Sequence, residues 1–195
     1  MNPTLKKSLK IIGAITAVIL AIAFVLRYDT KAHSPQDTVH FKSNGITLEV
    51  FYNRPYKKDR EIFGGLVPYD EVWRTGANEA TTFQTDKDIL VDGSLLKAGK
   101  YTLWTIPGKE TWKVIFNSQM YPWGIDLEKK AYRDPQYDVL VIETAVNKID
   151  NNVEQFTISF EERNDLIFLF LSWDDTRISL PIKEAEGVEV AESSI

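Results

Sequence analysis

Cysteine is absent from this 195-residue chain, which excludes disulfides, thiolate nucleophiles and cysteine-ligated zinc or iron–sulfur sites. Histidine is nearly absent too. His33 and His40 are the only two, too few for a histidine-rich metal site. A Ser-His-Asp triad would have to rest on His40, and no nucleophile elbow accompanies it. The main body also lacks any basic block. Lys6, Lys7, Lys10 and Arg27 give residues 1–27 a charge of +4 with no acid, so the overall −5 leaves −9 on the remainder. An acidic body without clustered lysine and arginine is poorly suited to displace counterions from a phosphate backbone, and nucleic acid is set aside as a partner. Asp86-Lys87-Asp88 and Asp174-Asp175 fall at expected hairpin turns, where aspartate bonds its own backbone, so they are read as turn chemistry rather than calcium ligands. No cofactor and no metal are expected.

What the chain has in quantity is aromatic residues, five Trp, eight Tyr and ten Phe, the kind of side chain that fills sheets. It also has one long apolar run. Ile11 to Leu26 is sixteen residues without a charge, preceded by three lysines and followed by Arg27. This length lies between a signal-peptide core and a full membrane span, and Ala21-Ile22-Ala23 offers a small-x-small cleavage pattern buried inside the run. The favoured reading is an uncleaved membrane anchor over 1–27. Lysines on its N-terminal side place the domain across the membrane, giving a single-pass inner-membrane protein facing the periplasm. The alternative is a secreted or periplasmic protein after signal cleavage.

Residues 28–37 carry no apolar periodicity and read as a tether. A hairpin follows, with Val39 and Phe41 alternating before Asn44-Gly45 and Ile46, Leu48 and Val50 alternating after it. Short strands are expected at Val72–Thr75, Thr81–Thr85, Ile89–Val91, Tyr101–Ile106 and Trp112–Asn117. Ser118–Pro135 reads as a long loop. Further strands are expected at Val139–Thr144, Glu154–Glu161, Leu166–Trp173 and Arg177–Pro181, with tight turns at Arg163–Asp165 and Asp174–Thr176. Leu166–Leu171 is apolar at every position, as in a strand covered on both faces. About ten short antiparallel strands predict an all-β fold over 38–183, a β-sandwich with a jelly-roll-like or closed-barrel arrangement as the alternative. Residues 184–195 are acidic and aperiodic and read as a disordered tail.

The chemistry concentrates in Gly64–Phe83, "GGLVPYDEVWRTGANEATTF". Trp73-Arg74 and Asn78-Glu79 lie on either side of Gly76, close enough to meet across a tight turn. An arginine and glutamate so placed can present a guanidinium to a polar ligand or form a bracing ion pair. Of the tryptophans, Trp112 and Trp173 sit in strong strand patterns and are assigned to the core, whereas Trp123 lies in a Pro-Gly loop. Glu71, Glu79, Glu110 and Asp126 are the carboxylates available for glycoside hydrolysis.

The strings "GGLVPYDEVWRTGANEATTF", "LKAGKYTLWTIPG" and "WKVIFN" resemble, in order and spacing, the bacterial family known as domain of unknown function 2911, over about Val39 to Ile182. The resemblance implies an exported protein, often from Bacteroidota, and carries no activity, cofactor or residue role with it. It implies a recurring motif at Arg54, Pro55, Arg60, Gly64, Trp73, Arg74, Gly76, Asn78 and Glu79. Residues and resemblance together lead to a membrane-tethered domain binding a small polar or carbohydrate-like ligand through Arg54, Arg60, Trp73, Arg74, Asn78 and Glu79. The rivals are a metal-independent hydrolase using Glu79 as acid or base with Arg74 stabilising negative charge, and a structural envelope protein with no ligand.

Overall fold

The computed structural model describes residues 2–43, 45–126, 128 and 130–185, without the side chains of 5, 6, 23 and 26–29. It opens with one helix, α1 (Pro3–His33), whose first turn is capped when the Asn2 carboxamide accepts from the Thr4 N–H at 3.1 Å. Nothing between Tyr28 and His33 breaks a helix, and the first breaker is Pro35, which forces Ser34 out of helical geometry. The segment expected as a tether is therefore the last turns of α1 and the start of the first strand. Among the described residues no helix is long and apolar enough to cross a membrane.

Ten strands follow. The predicted hairpin is β1 (Gln36–Ser43) against β2 (Ile46–Asn53), where Ile46, Leu48, Val50 and Tyr52 point inward and are fully buried. Gly45 turns it with φ 75°, while Asn44 lies outside the described residues. β3 (Thr82–Thr85), β4 (Ile89–Val91), β5 (Ser94–Leu96), β6 (Gly99–Pro107) and β7 (Thr111–Asn117) come next. β8 (Asp138–Ala145), β9 (Asn147–Arg163) and β10 (Leu166–Glu184) complete the chain. Two antiparallel sheets result, one of six strands in the order β1-β2-β3-β6-β7-β8 and one of four in the order β5-β4-β10-β9. This is a two-layer sandwich, not a closed barrel. Its core joins Leu48, Phe83, Leu103 and Val114 of the larger sheet to Ile158, Leu169, Leu180 and Ile182 of the smaller.

The long final hairpin is where pattern and structure differ most. The expected turn at Asp174–Thr176 is a bulge inside a 19-residue strand, with Asp174 at φ 55° and register shifts on either side of it. Asn151-Asn152, in the gap expected between the strands Val139–Thr144 and Glu154–Glu161, lies within β9. The Arg163–Asp165 turn is real, with Asn164 and Asp165 both at positive φ. The all-apolar Leu166–Leu171 segment is not covered by protein layers on both sides. Instead the guanidinium carbons of Arg163 and Arg177 lie 5.5 and 5.3 Å from the Phe170 ring centre, covering the outer face. Val72–Thr75 forms only an isolated bridge, Trp73 to Thr105. Tyr121 and Gly124 of the loop after β7 pack against Trp104 on the outer face of the larger sheet, where Trp104 is fully buried and bonded through Nε1 to Thr102 Oγ1 at 3.0 Å. Of the expected tail, residues 186–195 lie outside the described residues.

Candidate functional site

The Gly64–Thr81 segment crosses one end of the sandwich and is pinned there by backbone bonds. Trp73 and Thr105 exchange N–H···O bonds of 2.7 and 3.0 Å, and the Asp70 N–H reaches the Pro107 carbonyl at 2.8 Å. The chain then winds tightly, with Thr75, Gly76 and Asn78 all at positive φ. At Gly76 (φ 147°) a Cβ would sit 2.8 Å from the Asn53 carbonyl oxygen, so only glycine fits the close crossing of β2. Thr81 Oγ1 donates to the Thr75 carbonyl at 2.7 Å and locks the loop from below.

This winding delivers Asn78 and Glu79 to the end of α1. Asn78 Nδ2 donates to the carbonyls of Thr30 and Ser34 at 3.3 and 3.2 Å, sharing the Thr30 oxygen with the Ser34 N–H and tying the loop to the helix end. Lys31 Nζ donates to Glu79 Oε2 at 2.5 Å, Asn53 Oδ1 at 2.8 Å and Gln36 Oε1 at 3.2 Å. Asn53, fully buried at the end of β2, donates through Nδ2 to Glu79 Oε2 at 3.0 Å and closes the ring. Burial works to raise the Glu79 carboxyl. The Lys31 hydrogen bond, its own backbone N–H, the Lys31 charge and the Asn53 amide outweigh it and hold the group below the ordinary glutamate value. Asn78 and Glu79 thus fasten a helix to a sandwich. Sequence reading missed Lys31 and Asn53, since partners 22 and 48 residues apart leave no spacing to read.

The other predicted site residues divide. Arg54 is a clasp between strands: Nε donates to the Phe156 carbonyl, Nη1 to Asp37 and Nη2 to Thr157 Oγ1. Trp73 joins a tight aromatic cluster, its ring stacked 6.0 Å from Trp173 and edge-on to Trp112 and Phe156, with Nε1 donating to the Gly76 carbonyl. Trp112 and Trp173 are buried as expected, and Trp123 is 41% exposed. Arg60 donates to the carbonyls of Lys57 and Tyr56. Arg74 Nη1 donates to the carbonyls of Asn78 at 2.9 Å and Trp123 at 3.1 Å. Burial lowers the Arg74 guanidinium below the ordinary arginine value, and the Glu79 charge works partly against that.

Beside these residues lies a groove of about 670 Å³. Arg60, Trp73 and Arg74 line it, and Asn78, Glu79 and Arg54 do not. His33 and Ser34 from the end of α1 form one wall, Val67 and Trp173 an apolar one, and Lys58 and Lys130 stand at its borders. The predicted cluster therefore separates into an internal brace and a lined groove that share Arg74 as their joint. Among the described residues no three His, Asp or Glu side chains converge as metal ligands would.

A family model described as "Protein of unknown function (DUF2911)" matches residues 34–182. The match starts at the turn leaving α1 and ends inside β10. No curated protein and no solved structure matches the chain.

Proposed function

The chain belongs to the DUF2911 family of proteins of unknown function, and we propose that its sandwich is a ligand-binding module, held at a membrane by α1, that takes a small polar or carbohydrate-like ligand in the groove beside Trp73 and Arg74. The groove itself carries this reading: at about 670 Å³ it falls within the roughly 300–1,000 Å³ of small-molecule sites, and it combines aromatic and apolar walls with a few polar groups. Two observations support binding over hydrolysis. Glu79 is engaged by Lys31 and Asn53 and held as a carboxylate, which ill suits a general acid, and it does not line the groove. Glu71 is the sole carboxylate among the described lining residues, where glycoside hydrolysis needs two.

Membrane attachment is supported by the surface of α1. Leu9, Ile12, Ile15, Ile19, Phe24 and Val25 are each more than half exposed, on several sides of the helix.

The test is a thermal-shift panel on the full chain in detergent, with muropeptides, neutral sugars and small carboxylates and phosphates, repeated with Ala77→Phe to fill the groove. A ligand at a hundred times its dissociation constant stabilises by about 2.7 kcal/mol. Stabilisation present in the wild type and lost in Ala77→Phe supports the module. A flat response across charged and neutral compounds would leave the bracing role alone.

A further inference from the structure

The groove inverts the charge of the domain that carries it. Residues 28–195 bear a net −9, yet Lys58, Arg60, Arg74 and Lys130 line the groove against Glu71 alone among the described residues. Lys130 has an ion pair with Glu128 at 3.2 Å, but both side chains are about three-quarters exposed, so that pair neutralises little. Local accumulation of cations on an acidic body raises the concentration of anions at that one place.

Arg74 adds a directional feature. Among the described residues only its Nη1 meets protein acceptors, the carbonyls of Asn78 and Trp123, while Nε and Nη2 meet none. Those two nitrogens share one edge of the guanidinium plane, the edge that receives two oxygens of a carboxylate or phosphate in parallel. A half-buried cation with that edge still reached by solvent has acceptors to gain. An arriving anion would supply them. The remaining walls are apolar: Val67 and Trp173 are buried, Trp73 is partly buried, and Leu66 stands 46% exposed.

We infer that the groove takes an organic anion, a carboxylate or phosphate received on the Nε/Nη2 edge of Arg74 with Lys58 and Arg60 nearby, whose aromatic or aliphatic body lies along Val67, Trp73 and Leu66. This rests on the groove being a ligand site and names the class of ligand. Neutral sugars lack the charge that the lining cations and the open guanidinium edge call for. Such an anion has two sources, a soluble metabolite or the headgroup of a lipid, and the chemistry at Arg74 is the same for both.

Calorimetric titration of the full chain in non-ionic detergent, with phenyl phosphate, phenyl β-glucoside and inorganic phosphate, tests it. Phenyl phosphate is expected to bind tightest, because it alone joins the anion to an apolar body, and its affinity should fall as salt rises. Arg74→Gln should weaken it by about tenfold or more. Lys58→Gln, at an exposed side chain, should weaken it by a smaller factor without touching the fold. Dihexanoyl phosphatidylglycerol below its micelle concentration separates the sources: tighter binding than phenyl phosphate assigns a lipid headgroup, weaker binding a soluble anion. Tighter binding of phenyl β-glucoside would overturn the anion while sparing the groove. Unchanged affinity in both Arg74→Gln and Lys58→Gln would overturn it too, and no binding by any of these compounds would remove the ligand site with it.

Discussion

Lys31 and Glu79 are each 20% exposed and meet at 2.5 Å, so their contact belongs to the class in which removing one partner strands the other. Lys31→Met and Glu79→Gln should each cost about 1–3 kcal/mol, and a double-mutant cycle by chemical denaturation should return a coupling near 1 kcal/mol. Additive single effects would mean the contact contributes nothing of its own. The pH dependence has a defined sign. Folding holds the Glu79 carboxyl below its ordinary 4.5, so its stabilisation is complete above that value and is lost as pH falls through the lower folded value. The stability gap between wild type and Glu79→Gln should accordingly narrow only below about pH 4.5. Gly76 gives a sharper test. Gly76→Ala meets a positive φ and the Asn53 carbonyl at 2.8 Å together, whereas Gly93→Ala meets positive φ with nothing within 4 Å. Backbone strain of about 1–3 kcal/mol applies to both, and only Gly76→Ala should lose clearly more in a denaturant melt. Equal losses would show that the crossing can relax.

At the scale of elements, α1 is part of the folded unit. Its last turn supplies Lys31 to a buried asparagine and takes Asn78 as its C-terminal partner. Deleting residues 1–33 should therefore lower the unfolding free energy by about 1–3 kcal/mol, the penalty for leaving Asn53 and Glu79 without their cation, measured against the full chain in the same detergent. A truncated domain of undiminished stability would show that water replaces Lys31 without loss. Most strands were legible beforehand, because an alternation such as Ile46, Leu48, Val50 has one meaning when one face is buried. The bulge at Asp174 was not. An Asp-Asp-Thr string reads equally as a turn or as a bulge, and only pairing with β9 on both sides of it decides for the bulge. The mixed polarity of residues 28–33 likewise hid a helix end whose Lys31 is used on the domain rather than on solvent.

For the whole molecule, the proposed membrane attachment has the largest consequence. If α1 seats the chain in a bilayer, alkaline carbonate extraction of membranes from expressing cells should leave the full chain in the pellet and release a variant lacking residues 1–26. Release of both would place the apolar surface of α1 against something other than lipid. Attachment would also set the groove at the bilayer surface, since His33 and Ser34 line it and belong to the turn by which α1 leaves the domain.

Composition and alternation by themselves determined an all-β body, its acidic charge, the apolar run Ile11 to Leu26 and the irregular loop that carries Trp73 to Glu79, because burial periodicity and glycine tolerance act locally along the chain. Assignment of roles within that loop was decided only by tertiary structure. Arg74 and Glu79 are five residues apart, yet one lines the groove while the other braces α1. The partners that separate them, Lys31, Asn53 and the Trp123 carbonyl, arrive from distant parts of the chain. Hydrogen bonds and desolvation depend on who arrives, and sequence spacing holds no record of it.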